Sequence, residues 1–171
     1  MSIASSIVVR PMCECDLELV LSWRNHPEVR RYMYTKHEIS LEEHTRWFAH
    51  VAQDPERHLL VFEIGATPLG FINIHQIAPG GIADWGFYAA PNAPKGTGRS
   101  LGQAALKYAF KTMGLHKLCG QALAFNERSI RFHLNLGFQR EGALRQQHFD
   151  GQVYHDVICF GLLANEWRLI D

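Results

Sequence analysis

With 171 residues, 47% of them hydrophobic and 11% aromatic, the chain can bury one sizeable core but is too short for two ordinary domains, so a single domain over residues 1–171 is expected. Its 17 basic and 17 acidic side chains cancel, leaving no global positive field to hold a phosphate polymer, which argues against nucleic acid as a partner. The opening Met1–Arg10 lacks a basic stretch followed by an apolar run, and nothing later approaches the ~18 uninterrupted apolar residues of a membrane helix, so no membrane partner, a cytoplasmic location and reduced thiols at Cys13, Cys15, Cys119 and Cys159 are expected.

In chain order, Ile7–Arg10 reads as a strand. Leu17, Val20, Leu21 and Arg24 follow helical spacing to a break at Asn25-His26-Pro27, where a short second helix starts. Ser40-Leu41-Glu42-Glu43 has the form of a capping box opening a helix to about Ala52. Leu59–Ile64 and Leu69–Ile77, joined by Gly65-Ala66-Thr67-Pro68, read as a hairpin, and Ile82–Ala89 as the next strand. The pattern then changes to a glycine-rich loop, a helix carrying Leu101, Ala105, Tyr108 and Thr112 on one face, a strand Lys117–Ala124 and a helix Glu127–Leu136. Strands Gln139–Phe149 and Gln152–Leu162, turning at Asp150-Gly151, complete the chain. The expected fold is α/β of the α+β type: a mixed, mostly antiparallel sheet of about seven strands flanked by helices. Edge strands near the C-terminus make a homodimer conceivable.

Ten histidines occur, but neither H-E-x-x-H nor a compact cluster of His, Cys and Asp with ligand spacing is present, so no metal is expected. The chemistry concentrates elsewhere. The strand ending Trp85-Gly-Phe-Tyr-Ala-Ala runs straight into a loop with Gly96, Gly98 and Gly102, and the helix opening near Gly98 can aim unpaired amides and a positive dipole end at an anion. An ordinary loop needing positive φ has the same composition. Neither a P-loop nor a Rossmann loop fits the spacing.

The loop resembles the acyl-CoA pyrophosphate loop of the GNAT superfamily, Arg/Gln-x-x-Gly-x-Gly/Ala, with Gly96 and Gly98 in place and Ala93 at the leading position. The resemblance implies acetyl-CoA as cosubstrate and an N-acetyltransferase activity. The donor would lie against Phe87, Tyr88 and Ala89 and the loop residues Lys95, Gly96, Thr97, Gly98, Arg99, Ser100 and Leu101, with Lys95 or Arg99 supplying charge. Asn126-Glu-Arg-Ser-Ile-Arg-Phe-His-Leu-Asn-Leu-Gly-Phe138 is similar to the GNAT segment that contacts the pantetheine arm. Asn126 is equally suited to cap that helix. Asn126, Ser129 and His133 share one helix face, and many relatives carry at the His133 position a Tyr that protonates the departing thiolate. A His near its reference pKa of ~6.5 could do the same; the alternative is a packed helix-face histidine. Gly151-x-x-Tyr154-x-Asp156, followed by Leu162, Leu163, Glu166 and Trp167, resembles the branch that includes ribosomal-protein N-terminal acetyltransferases.

Within that branch, Trp23–Tyr34 and Ile39–Phe48 most resemble the N-acetyltransferases of the pseudaminic-acid pathway, which acetylate the 4-amino group of UDP-4-amino-4,6-dideoxy-N-acetyl-β-L-altrosamine. The resemblance implies a UDP-amino sugar acceptor and a role in flagellin modification. From Arg24 to Lys36, Arg24, Arg30, Arg31 and Lys36 stand against Glu28 alone, a patch suited to a diphosphate. Met33, Tyr34 and Trp47 offer surface for a base, and His44 and His75 are further acceptor-binding candidates; a solvated helix face and a core Trp47 would leave the same pattern. Amides of the Phe87–Ala89 strand could polarise the thioester carbonyl. Asp84, Glu63 and His75 are candidate bases or structural groups, and nothing places a base beside Cys119 for a covalent route. The competing functions are acetylation of a protein N-terminus or another small amine, and CoA binding without turnover.

Overall fold

The computed structural model describes residues 5–168, the last by its backbone alone, so Met1–Ala4 of the opening segment lie outside the described residues. Seven strands form one sheet in the order β1-β2-β3-β4-β5-β7-β6. They are β1 (Ile7–Pro11), β2 (Arg57–Ile64), β3 (Thr67–Ala78), β4 (Ile82–Ala89), β5 (Lys117–Leu123), β6 (Gln139–Phe149) and β7 (Tyr154–Leu163). Only β4 and β5 pair in parallel; every other neighbouring pair is antiparallel. That parallel step follows from the crossover between them, helix α4 (Thr97–Lys107) continued by a wider π turn over Tyr108–Thr112. The mixed sheet expected from the alternation of elements is therefore present.

The sheet is covered on both faces. Along β2, Leu60 and Phe62 join one core while Leu59 and Val61 join the other, so this strand reads as an unbroken apolar run instead of an alternating one. The first core packs Ile72, Ile74, Trp85, Leu118, Phe160 and Leu162 beneath α4. Helix α5 (Glu127–Asn135) sits on the same face, bringing Phe132 and Leu136 against α4. Close approach of α4 and α5 depends on Gly102, where a Cβ would meet Leu136 Cδ1 and Phe132 Cζ, each at 2.8 Å. The second core lies under α1 (Leu17–Asn25) and α3 (Leu41–Val51), with Val20, Trp23, Val51, Val61 and Phe71. Between them α2 (Pro27–Arg30) is a single turn, started by Pro27 and capped by His26 Nδ1 accepting from the Glu28 amide at 3.2 Å.

Four local readings change. Ser40 caps α3, accepting from the Glu43 amide at 3.1 Å, but the Glu43 carboxylate does not reach back; it faces His37 Nε2 at 3.1 Å. The β2–β3 hairpin turns on Gly65 and Ala66 alone, both at positive φ, so Thr67 and Pro68 already belong to β3. A short helix, α6 (Ala164–Arg168), follows β7 and buries Trp167 against Phe110. Finally, the expectation of four reduced thiols fails at the first pair: Cys13 and Cys15, with one residue between them at the start of a 3-10 turn, are bridged, while Cys119 and Cys159 are free.

Candidate active site

Strands β4 and β5 pair only at Ile82↔Lys117, Ala83↔Leu118 and Asp84↔Cys119. Beyond that vertex, Trp85–Ala89 and Gly120–Leu123 separate and leave a wedge-shaped slot in the middle of the sheet. From β4 the chain runs through a loop into the start of α4. There Gly96 adopts φ +92° as the residue before the helix, a conformation that favours glycine. The Thr97 amide bonds Pro94 O at 3.1 Å and the Ser100 amide bonds Gly96 O at 3.2 Å. Among the described residues, no backbone acceptor serves the amides of Gly98 and Arg99. These two N–H groups, with the helix dipole behind them, could hold a diphosphate. Lys95 and Arg99 are exposed beside it, without an ion-pair partner among the described residues. Ala93 packs against the second core, so a longer side chain there would have to leave it. Two of the expected donor contacts cannot be made by side chains. Leu101 is 1% exposed against Gly70, and the Thr97 hydroxyl is buried, donating to Pro94 O at 2.7 Å.

The chain matches the acetyltransferase (GNAT) domain profile over residues 6–139. It belongs to the GNAT acetyltransferase family. Accordingly it is an acyltransferase with acetyl-CoA as cosubstrate, and the slot and the unpaired amides of α4 suit that donor. Acetyltransferase PseH of Campylobacter jejuni (strain 81-176) is 32% identical over 84% of this chain and 85% of that protein. Spermidine N(1)-acetyltransferase of Vibrio cholerae is 24% identical over 95% of this chain and 96% of that one. A crystal structure of spermidine N-acetyltransferase from Vibrio cholerae in complex with CoA and spermine shares the fold, with a TM-score of 0.86 at 23% identity, covering 95% of this chain and 98% of that one.

His133 does not face the slot. It is 1% exposed, stacked on Phe160 with ring centroids 4.8 Å apart and enclosed by Trp85, Phe87 and Phe138. Trp85 Nε1–H donates to His133 Nε2 at 3.2 Å, so that nitrogen must be the acceptor, and Nδ1–H donates to Ser129 O at 2.8 Å. Both ring nitrogens are committed and the imidazole is neutral. The acid role expected for His133 is therefore corrected to a structural one. Space for the ring comes from Gly120, where a Cβ would stand 2.5 Å from His133 Nε2. A GNAT enzyme can dispense with this acid because a departing thiolate, with a thiol pKa of about 8.5, is a tolerable leaving group near neutrality. Asn126 caps α5 through Oδ1, accepting from the Ser129 amide at 3.1 Å, and both residues stay half-buried at the helix start.

Burial pushes the His133 imidazole below its ordinary value of 6.5, and burial does the same to His44, which is 4% exposed and stacked on Trp47 at 5.2 Å. Both are held neutral when folded, whereas the unfolded chain protonates them below about pH 6.5. Unfolding then takes up protons, so their contribution to stability is whole above that value and is lost as pH falls below it. We expect the unfolding free energy measured with urea to decline from pH 7 to pH 5, by up to about 1.4 kcal/mol per pH unit for each histidine. A flat profile would show that both accept a proton in the folded state.

On the sheet face opposite α4 and α5, the slot is lined by Asp84, Gly86 and Tyr88 of β4 and by Cys119 and Gln121 of β5, as strand alternation dictates. Tyr88 packs on Phe71, its phenol raised by burial; its side chain thus belongs to this face, while Phe87 packs on Phe132. The Arg24 guanidinium comes beside Tyr88, with Nη2 donating to Thr35 O at 3.2 Å and Nη1 buried without a partner. Burial lowers the proton affinity of Arg24, but a guanidinium stays charged. Asn73 Oδ1, His44 Nε2 and His148 Nε2 are the other buried polar atoms without partners among the described residues. From α2 the chain crosses to the far side of the slot. Tyr32 stacks on Phe125 at 6.1 Å, Tyr34 donates to Gln121 Oε1 at 3.2 Å and lies 5.0 Å from the His148 ring, and Lys36 sits over Phe125.

The remaining acceptor candidates spread more widely. Arg30 and Arg31 pair loosely with Glu38 and Glu28, each at 3.7 Å, and Met33 is half-buried in the crossing segment. Trp47 lies edge-on to Phe71. Of the candidate bases, Glu63 is removed, since Arg10 Nε donates to it at 2.7 Å on the far edge of the sheet. His75 is removed because Nδ1 accepts from Arg57 Nη2 at 3.2 Å. Asp84 makes no hydrogen bond among the described residues and stands at the vertex, its carboxyl raised by burial. Asn73, Gln121, Phe125 and His148 were not expected; Asn73 and His75 alternating with Ile72 and Ile74 in β3 are the one sequence signal that marked this face.

Proposed function

We propose that this GNAT enzyme transfers acetyl from acetyl-CoA to the 4-amino group of a UDP-linked amino sugar, the step required in pseudaminic acid biosynthesis. The observation that carries this reading is the Arg24 guanidinium, half-buried on the acceptor side of the slot, with Nη1 lacking a partner among the described residues. Its charge favours an anionic acceptor, and the exposed cations Arg31, paired only loosely with Glu28 at 3.7 Å, and Lys36 extend the match to a diphosphate. Aromatic surface for a base is available at Tyr34 and Trp47, and the similarity to PseH points the same way.

In this scheme the neutral amine attacks the thioester carbonyl at the vertex and Asp84 takes its proton. The nitrogen–carbon bond forms as the carbon–sulfur bond breaks, and the thiolate leaves with the electron pair. The donor runs along Phe87–Ala89, with Asn126 and Ser129 beside its pantetheine arm. The similarity to spermidine acetyltransferase raises a polyamine acceptor as the rival reading, but a polycation would meet an uncompensated Arg24.

Release of CoA thiol measured with a UDP-4-amino sugar, a peptide and spermidine separates the readings. The sugar is expected to turn over selectively, and Arg24→Gln to raise its KM at least tenfold, about 1.4 kcal/mol, with the acetyl-CoA KM unchanged. Selective turnover of spermidine or peptide sinks the proposal. Tight CoA binding with no thiol release for any amine would leave a CoA-binding protein without turnover.

A further inference from the structure

We infer that Asp156 of β7 is a positioning residue: it pins a bulge in β6 and thereby fixes Tyr34 beside the acceptor. Strands β6 and β7 pair from Gly142↔Cys159 to Leu144↔Val157 and again at His148↔His155 and Phe149↔Tyr154, so Arg145, Gln146 and Gln147 stand opposite Asp156 alone. Unbroken register would bring Gln146 opposite His155; the bulge brings His148 there instead. At its centre Gln146 has φ +51°, a left-handed conformation that a side chain disfavours and that persists only where its surroundings hold it. Asp156 supplies the hold. The Gln146 amide donates to Asp156 Oδ1 at 2.8 Å, while Asp156 O accepts from the Ala124 amide of the β5 side at 2.9 Å. Among the described residues this carboxylate has no other hydrogen-bond partner.

The residue that the bulge displaces meets the acceptor side. The His148 ring lies 5.0 Å from the Tyr34 ring and 6.4 Å from that of His155. Its Nε2 is buried without a partner among the described residues, so the course of the strand and packing place it. His155 is anchored independently of Asp156, through Nε2 and Asp150 Oδ2 at 2.6 Å. Tyr34 reaches Gln121 on the slot at 3.2 Å and is 52% exposed, so it rests on His148 and still presents surface to an acceptor. Its neighbours Tyr32 and Lys36 rest on Phe125, at 6.1 Å and 5.9 Å, which makes Tyr34 the residue of the crossing segment that depends on β6.

The kinetic part of this inference rests on the reading that the acceptor's base lies on Tyr34, and the experiment reads the two claims apart. With no substrate present, NMR cross-relaxation between the Tyr34 ring and the Gln121 side chain is followed in the wild-type protein, Asp156→Ala, Asp156→Asn and His148→Ala. The contact is expected to be lost in Asp156→Ala while that of Tyr32 with Phe125 persists, and to return in Asp156→Asn, whose carboxamide oxygen still accepts from Gln146. His148→Ala keeps the bulge, removes the platform and should lose the same contact. A retained Tyr34–Gln121 contact in folded Asp156→Ala, or in His148→Ala should Asp156→Ala not fold, overturns the proposal. In parallel, the KM of the UDP-4-amino sugar is expected to rise about fivefold or more in Asp156→Ala with the acetyl-CoA KM within about twofold, and adding Tyr34→Ala to that variant to raise it little further. A contact that is lost while the sugar KM stays put would confirm the positioning and remove Tyr34 from the acceptor site.

Discussion

Replacing His133 by phenylalanine is expected to destabilise the enzyme by about 2–4 kcal/mol while leaving the kcat of the folded protein within about twofold of wild type. Phenylalanine fits the aromatic surroundings but cannot accept from the Trp85 indole or donate to Ser129 O, so two polar groups that are satisfied in the wild type lose their partner inside the core. His133→Gln, whose amide can serve Trp85, should lose less. Urea unfolding and acetyl-transfer rates on the same preparations test both halves. A tenfold fall in kcat with unchanged stability would restore the proton-donor role that the burial of this ring contradicts.

Placing a carboxylate on the first turn of α4 is expected to have opposite effects on stability and on donor affinity. Gly98→Asp leaves folding intact or slightly improved, because an acidic side chain suits a helix start. It should nonetheless weaken acetyl-CoA binding at least tenfold, about 1.4 kcal/mol, by setting a negative charge against the diphosphate and competing for the free amides of Gly98 and Arg99. Gly98→Ala is the control: its Cβ would meet only Phe132 Cε2, at 4.0 Å, so affinity should stay within about twofold. Calorimetric titration with CoA decides the matter. Equal affinity of the aspartate variant and the wild type would mean that the phosphates lie elsewhere.

The order of elements was readable from periodicity because strands and helices alternate with clear turn residues, and local capping at Ser40 and Asn126 could be read from their side chains. The glycine at 96 likewise stands where its backbone, at φ +92°, favours that residue. His133 was misread for a physical reason. Helical spacing fixes that it shares a face with Asn126 and Ser129, but not what lies opposite that face. The opposing layer is made by Gly120 on β5 and by Trp85, 48 residues away, and no local pattern couples these positions. The bridging of Cys13 and Cys15 depends on the turn geometry between them, which the spacing alone does not disclose.

The two halves of the sheet meet along only three residue pairs. Just past that seam, on the α5 side, Trp85 and Phe138 stack face to face at 5.7 Å, joining a residue of β4 to one that leads into β6. This stack acts as a spacer in a pair of jaws. Trimming or thickening it would alter how far the jaws gape, giving residues that contact neither reactant a hold on how tightly the thioester is gripped.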